Sequence, residues 1–127
     1  MVFSQLYPLN MTGKNIKILH LFDIGGGIAT SINLITQNTN PDIFQHVIIS
    51  GISKDNNEDG LSNSRVYNLN LDRNINFVRD LLLIPKVLRI CKKENPDFIH
   101  AHSAKGGLIG KIVALLTSKK CFYTPQA

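Results

Sequence analysis

Residues 99–111 read I-H-A-H-S-A-K-G-G-L-I-G-K, and this stretch decides the fold class. An apolar strand runs into a short polar loop, a lysine and a glycine pair, and then an apolar helix follows. That order of parts is how an α/β protein brings polar groups to a crevice beyond the carboxyl end of a strand. The same order occurs earlier, where Ile16 to Phe22 (I-K-I-L-H-L-F) stops at Asp23 and Gly25-Gly26-Gly27 follows. A run so nearly continuous in apolar residues suits a central parallel strand covered on both faces.

The rest of the chain alternates in the same way. Ile28, Ile32 and Ile35 recur at helical spacing up to Asn38, and Asn40-Pro41 closes the segment. Val47 to Ile49 reads as a second strand, residues 51–64 as an exposed loop rich in Ser, Asn, Asp and Gly, and Val66 to Leu71 as a third strand. Asn74 is expected to cap a helix whose inward stripe is Ile75, Val78, Leu81, Leu82, Leu88 and Cys91. Pro85 predicts a kink, or a second helix opening at that residue. Asp97 to His100 reads as a fourth strand, Gly106 to Leu116 as a helix with Leu108, Ile112 and Leu115 inward, and Cys121 to Thr124 as a fifth strand.

The pattern predicts a Rossmann-like, doubly wound, mostly parallel α/β sheet in the order 3-2-1-4-5. Strands 1 and 4 then lie side by side where the winding reverses, so both glycine loops flank one crevice. The 127 residues and 43% hydrophobic content fit a single domain with a buried core. We expect residues 15–127 to form it and residues 1–14, polar and without a clear period, to be a loosely ordered tail.

Fourteen basic against nine acidic residues give a net charge of +5, which favours anionic partners such as nucleotides, phosphate groups or an anionic membrane surface. Nucleic acid is disfavoured, because there is no Trp and the Phe residues are dispersed. Cys91 and Cys121 have neither metal spacing nor the density of a disulfide scaffold, so a reducing cytoplasm is expected. The sequence shows no signal-peptide pattern and no apolar run near the roughly 20 residues of a spanning helix. The expected location is therefore cytoplasmic, with at most peripheral contact at the membrane surface.

Gly25, Gly26 and Gly27 let the backbone turn sharply and bring N–H groups, with the helix N-terminus behind them, close to an anion; a diphosphate is the natural guest. A tight strand-to-helix turn is the plainer reading of the same glycines. The dinucleotide fingerprint fails at Thr30 and at Ser50-Gly51, which lacks the ribose-binding acid. His100 and His102 alternate with Ala101 and share a side, but two ligands without a carboxylate or third histidine make a poor metal site, and no metal is expected. His100 is expected to pack at the strand end and His102 to reach the crevice. His20 is read as a core histidine with a satisfied hydrogen bond, and His46 as a surface residue at a strand start.

Ser103, Lys105 and Gly106 open a helix, and Lys105 is expected to project its cation toward the crevice. The stretch is not a P-loop, since Ile112 stands where Ser or Thr would hold magnesium. No acid is placed to orient His102 toward Ser103, which removes a hydrolase triad. Asp23 and Asp97 lie at opposite ends of their strands, which removes a paired-carboxylate mechanism. An acidic cluster like that of a response regulator is also lacking near Asp23.

Together, Ile16 to Gly27, P-D-F-I-H-A-H-S at 96–103, A-K-G-G at 104–107 and Y-T-P at 123–125 resemble the N-terminal domain of glycosyltransferase family 4. The likeness spans about Lys14 to Ala127. It implies a GT-B-type enzyme with two Rossmann-like domains, which moves a sugar from a nucleotide-sugar donor to a polysaccharide or lipid-linked acceptor, with retention and without a bound metal or other cofactor. The glycine loop of Gly25, Gly26 and Gly27 would then approach the donor diphosphate, while His102, Ser103, Lys105, Gly106, Thr124 and Gln126 would line the acceptor side. Gln126 stands where many members carry a histidine, and an amide cannot act as a base near neutral pH. Sequence ending at Ala127 reads as the incomplete first domain, lacking the C-terminal partner domain, and so as inactive alone. The alternative is a non-catalytic α/β module, or a vestigial fragment, that binds a nucleotide or another anionic ligand.

Overall fold

A computed structural model describes residues 15–23, 26–51, 64–69, 71 and 76–125. The expected tail at 1–14, the centre of the 51–64 loop, the expected cap Asn74, and Gly25 and Gln126 lie outside the described residues. Five strands, β1 (Ile16–Leu21), β2 (Phe44–Ser50), β3 (Ser64–Asn68), β4 (Phe98–His102) and β5 (Lys120–Thr124), alternate with three helices, α1 (Gly26–Asn38), α2 (Phe77–Glu94) and α3 (Ser103–Thr117). The sheet order is β3-β2-β1-β4-β5, as the element order predicts, and every pairing is parallel. Among the described residues, no helix is long and apolar enough to cross a membrane.

Alternation along the strands sends two sets of side chains to two faces. Leu19, Leu21, Val47, Ile49 and Ile99 point to the face covered by α2 and α3, where they meet Leu83, Val87, Ile90, Ile109 and Val113 in one buried cluster. His20, His46, Ile48, His100 and His102 occupy the other face. A right-handed crossover from β1 to β2 carries α1 to that second face. Ile32 of α1 is fully buried, and Thr39, just past the helix, hydrogen bonds His46.

Two helical stripes differ from the expectation. In α2 the buried residues are Leu83, Val87, Ile90, Cys91 and Glu94, whereas Val78, Leu81 and Leu82 face solvent. The cap is Asn76, whose side chain accepts from the Arg79 N–H, and α2 runs through Pro85 as one helix. Pro85 is exposed, so the Leu81 carbonyl that loses its partner can be hydrated. In α3, which starts three residues earlier than predicted, Leu108 and Leu115 are exposed and the buried side is Gly106, Gly107, Ile109, Gly110, Val113 and Ala114. Small residues set that face because the helix lies almost on the backbone of the sheet. A Cβ on Gly110 would stand 2.7 Å from the Cβ of Ala101.

The amino ends of the strands are closed by a polar clamp. The buried Glu94 carboxylate accepts from Arg65 at 2.6 Å and from the Tyr67 hydroxyl at 2.8 Å, and it pairs with Lys17 at 3.5 Å. Burial raises the Glu94 pKa, but those hydrogen bonds and cations outweigh it and hold the carboxyl below the usual range. Asp97 Oδ2 accepts the Lys17 N–H at 2.8 Å, tying the starts of β1 and β4.

Candidate functional site

The carboxyl ends of β1 and β4 are adjacent, with His20 opposite His100 and Leu21 opposite Ala101. Each strand feeds a helix, α1 from Gly26 and α3 from Ser103. The first turns of both helices lack acidic residues, and the α3 cap residue His102 makes no side-chain capping bond. The first N–H groups of a helix have no partner within it, so the two starts offer donors and positive potential at one end of the sheet. A Cβ at Gly106 would lie 2.8 Å from the Leu21 carbonyl oxygen and 3.3 Å from Phe22 Cα, which fixes the start of α3 against the end of β1. Both glycine-bearing turns therefore leave the carboxyl ends of adjacent strands.

Ser103 carries the strain of this junction. Its φ of 64° is left-handed, a conformation rare for a residue with a Cβ, and its buried Oγ has no hydrogen-bond partner among the described residues. His102, 1% exposed, has neither ring nitrogen bonded among the described residues. Unpaired buried polar atoms of this kind are uncommon and point to a function for the junction.

Lys105 has a carboxylate partner that the sequence did not indicate. Its side chain is buried and its ammonium pairs with Asp80 Oδ1 at 3.0 Å, joining the start of α3 to the start of α2. Gly106 is a packing position against β1, and Thr124 holds His100 Nε2 at 2.7 Å. Asp23, at the end of β1, is buried, and Asp97 is at the opposite end of the sheet, as expected. Of the other sequence-derived site residues, Gly26, Gly27, His102 and Ser103 share the carboxyl edge.

The histidines form a larger group than the sequence indicated. His20 is buried and shares a 3.0 Å hydrogen bond between its Nε2 and His46 Nδ1, while His46 Nε2 bonds Thr39 Oγ1 at 2.7 Å. His46 is therefore an interior residue, not a surface one. The rings of His100 and His102 lie 3.9 Å apart, and His20 is 5.5 Å from His100 and 6.0 Å from His102. Burial, and then the neighbouring His46, His100 and His102, drives the His20 pKa well below the ordinary imidazole value. Burial also lowers His46 and His100, and burial followed by His100 takes His102 down to about 4. All four shifts favour the neutral imidazole. Adjacent strands supply this cluster, so spacing within β4 alone could not reveal it.

A cavity of about 460 Å³ lined by Lys17, Gln45, His46, Ser64, Arg65 and Glu94 opens at the amino ends of the strands. In doubly wound sheets ligands bind at the carboxyl ends, so this cavity is on the wrong edge for the site described here.

An all-parallel sheet with two helix starts at its switch point defines a Rossmann-like α/β domain of the kind that binds anionic ligands. The chain belongs to the glycosyl transferase 4-like family, whose model matches residues 17–124. It is 37% identical over 51 residues to the UDP-Gal:alpha-D-GlcNAc-diphosphoundecaprenol alpha-1,3-galactosyltransferase of Escherichia coli, a match covering 40% of this chain and 13% of that protein. In fold it is similar to a crystal structure of UDP-N-acetylglucosamine 2-epimerase, with a TM-score of 0.64, 12% identity, and coverage of 87% of this chain and 33% of that one. It is also similar to the C-terminal domain of a Pyrococcus furiosus hydrogenase, with a TM-score of 0.57, 15% identity, and coverage of 86% and 91%. Relatives as different as these two show the fold alone. The chain spans about an eighth of the galactosyltransferase and a third of the epimerase.

Proposed function

We propose that this chain forms the acceptor-side domain of a retaining, GT-B-type glycosyltransferase that moves a hexose from a nucleotide-sugar donor to a polysaccharide precursor or lipid-diphosphate acceptor. The observation that carries this reading is the contact of Gly106 with the end of β1. It sets the start of α3 against the end of the strand that leads to α1, so both helix starts lie at one end of the sheet and can face the same phosphates. Gly25, Gly26 and Gly27 approach the donor diphosphate; His102, Ser103, Thr124 and Gln126 line the acceptor side, with Lys105 and Gly106 shaping it from behind. Retention and metal-free transfer belong to the same proposal, which takes them from the family resemblance. No residue of this chain is assigned as the catalytic base.

A lipid-linked acceptor also accounts for the outer face of α2. Phe77, Val78, Leu81 and Leu82 are 63% to 82% exposed, and Lys86, Arg89 and Lys93 continue the same exposed side. An apolar patch followed by cations suits peripheral contact with an anionic cytoplasmic membrane face. A second domain holding the nucleotide completes the cleft, and residues 1–127 alone turn over little donor because only one wall orients the reacting groups.

The test is backbone-amide NMR on the 127-residue chain titrated with a short-chain lipid-diphosphate sugar and, separately, with UDP-galactose. Shifts concentrated at Gly26, Gly27 and Ser103 to Gly106 are expected. Shifts confined to the Lys17 and Arg65 edge, or no saturable shifts with either compound, overturn the reading.

A further inference from the structure

His20, His100 and His102 can each offer one ring nitrogen, and these three atoms lie within 4.8 Å of one another. Tetrahedral zinc holds imidazole nitrogens at about 2.0–2.1 Å, so the three atoms have to draw closer than 4.8 Å for all of them to reach one ion. The sequence supplied only two histidines on β4, too few for a metal; the third comes from β1, in register with His100.

The surroundings match what a metal-binding triad requires. Ligating histidines commonly have the other ring nitrogen tied to a hydrogen-bond partner, which fixes ring orientation and tautomer. His20 Nε2 is held by His46, itself held by Thr39, and His20 Nδ1 is buried without a partner among the described residues. His100 Nε2 is held by Thr124. His102, buried with both nitrogens unpartnered among the described residues, has one for an ion and one for the neighbouring crevice. Buried polar atoms left unsatisfied cost about 1–3 kcal/mol each, and a shared cation would relieve those of His20 and His102. His100 is half-buried and is the member of the trio that meets solvent.

We propose that His20, His100 and His102 form a three-imidazole site for a divalent transition-metal ion of the zinc class, with a fourth coordination position open to water. Imidazole donors without a thiolate or carboxylate favour zinc, copper or nickel over magnesium or calcium. The ion pins the carboxyl end of β1 to that of β4 and so holds the two turns of the candidate site in place. It takes no part in sugar transfer, and the site stands whether or not the transferase reading does.

Tag-free chain is titrated with Co²⁺ and then Zn²⁺ at about pH 7.5, where imidazoles are neutral. The expected result is one equivalent of Co²⁺ giving the intense visible absorption of four- or five-coordinate cobalt, bleached by Zn²⁺, with a rise in Tm on Zn²⁺ addition. His102→Gln is expected to weaken binding by about 100-fold or more. Thr124→Val and His46→Gln, which leave all three ligands in place, should weaken it about 10-fold through lost orientation. These two variants decide the question if His102→Gln does not fold. Lack of saturable binding, or binding unchanged in folded variants at these positions, overturns the proposal.

Discussion

Gly106 stands against the carbonyl of Leu21, and the 2.8 Å that a Cβ would leave is too short for any side chain. The obstacle is backbone, so it can yield only by moving α3 off β1. Gly107 is blocked instead by the far edge of the Tyr123 ring, a side chain 40% exposed that can yield by giving up its contact with the Lys111 ammonium. We expect Gly106→Ala to destabilise the chain by about 1–2 kcal/mol, overpacking set against the helix gain. Gly107→Ala should be neutral or slightly stabilising. Urea denaturation of the two variants checks this, and equal midpoints would contradict the tight junction.

Lys105 and Asp80 form a buried pair between two helix starts. Removing the cation strands a partly buried carboxylate, so Lys105→Met is expected to cost about 3 kcal/mol. Adding Asp80→Asn to the Lys105→Met chain should recover part of that loss. A double-mutant cycle measured by thermal unfolding gives the coupling. Strictly additive losses would show that Lys105 acts elsewhere.

The four lowered histidine pKa values set a pH window. Unfolded imidazoles titrate near 6.5 and the folded ones lower, with His102 at about 4, so the unfolded chain binds more protons as pH falls through this range. The contribution of the cluster to stability is complete above about pH 6.5 and is lost progressively toward pH 4, with a slope of up to about 1.4 kcal/mol per pH unit for each proton. Thermal scans in EDTA between pH 8 and pH 4 follow it by circular dichroism. A Tm that stays level down to about pH 5 would contradict the buried, neutral cluster.

The exposed stripe of α2 gives a readout of membrane contact. Wild-type chain is expected to co-sediment with vesicles containing anionic phospholipid, less so at high salt, and hardly at all with neutral vesicles. Leu81→Glu with Leu82→Glu should reduce binding about 10-fold while leaving the circular dichroism spectrum unchanged. Equal sedimentation of wild type and variant would remove α2 from the interface.

Much of this architecture was legible in the residues. Continuous apolar runs at 16–22 and 47–49 marked central strands, and the alternation of strands and helices gave the order 3-2-1-4-5. What escaped was the side of each helix that faces inward. Large apolar residues dominate the periodicity of α2 and α3, yet Leu81, Leu108 and Leu115 face outward. In α3 glycines form part of the inward side, because the β1 backbone at Gly106 and the Ala101 side chain at Gly110 leave no room for larger groups. The interior position of His46 and the ion pair of Lys105 were hidden for a related reason. Their partners His20 and Asp80 lie 26 and 25 residues away in sequence, and only strand pairing and helix packing bring them together.

The clasp between Lys17 and Asp97 spans 80 residues of chain. As the polypeptide leaves the ribosome, β1 can pair with β2 early, but its other edge stays open until β4 has emerged. For that interval a highly apolar strand presents unpaired backbone groups, an invitation to pair wrongly with a neighbouring nascent chain. Such long-range closure makes folding slow relative to helical proteins of this size. A variant that delays docking of β4 should therefore lower soluble yield before it alters the finished protein.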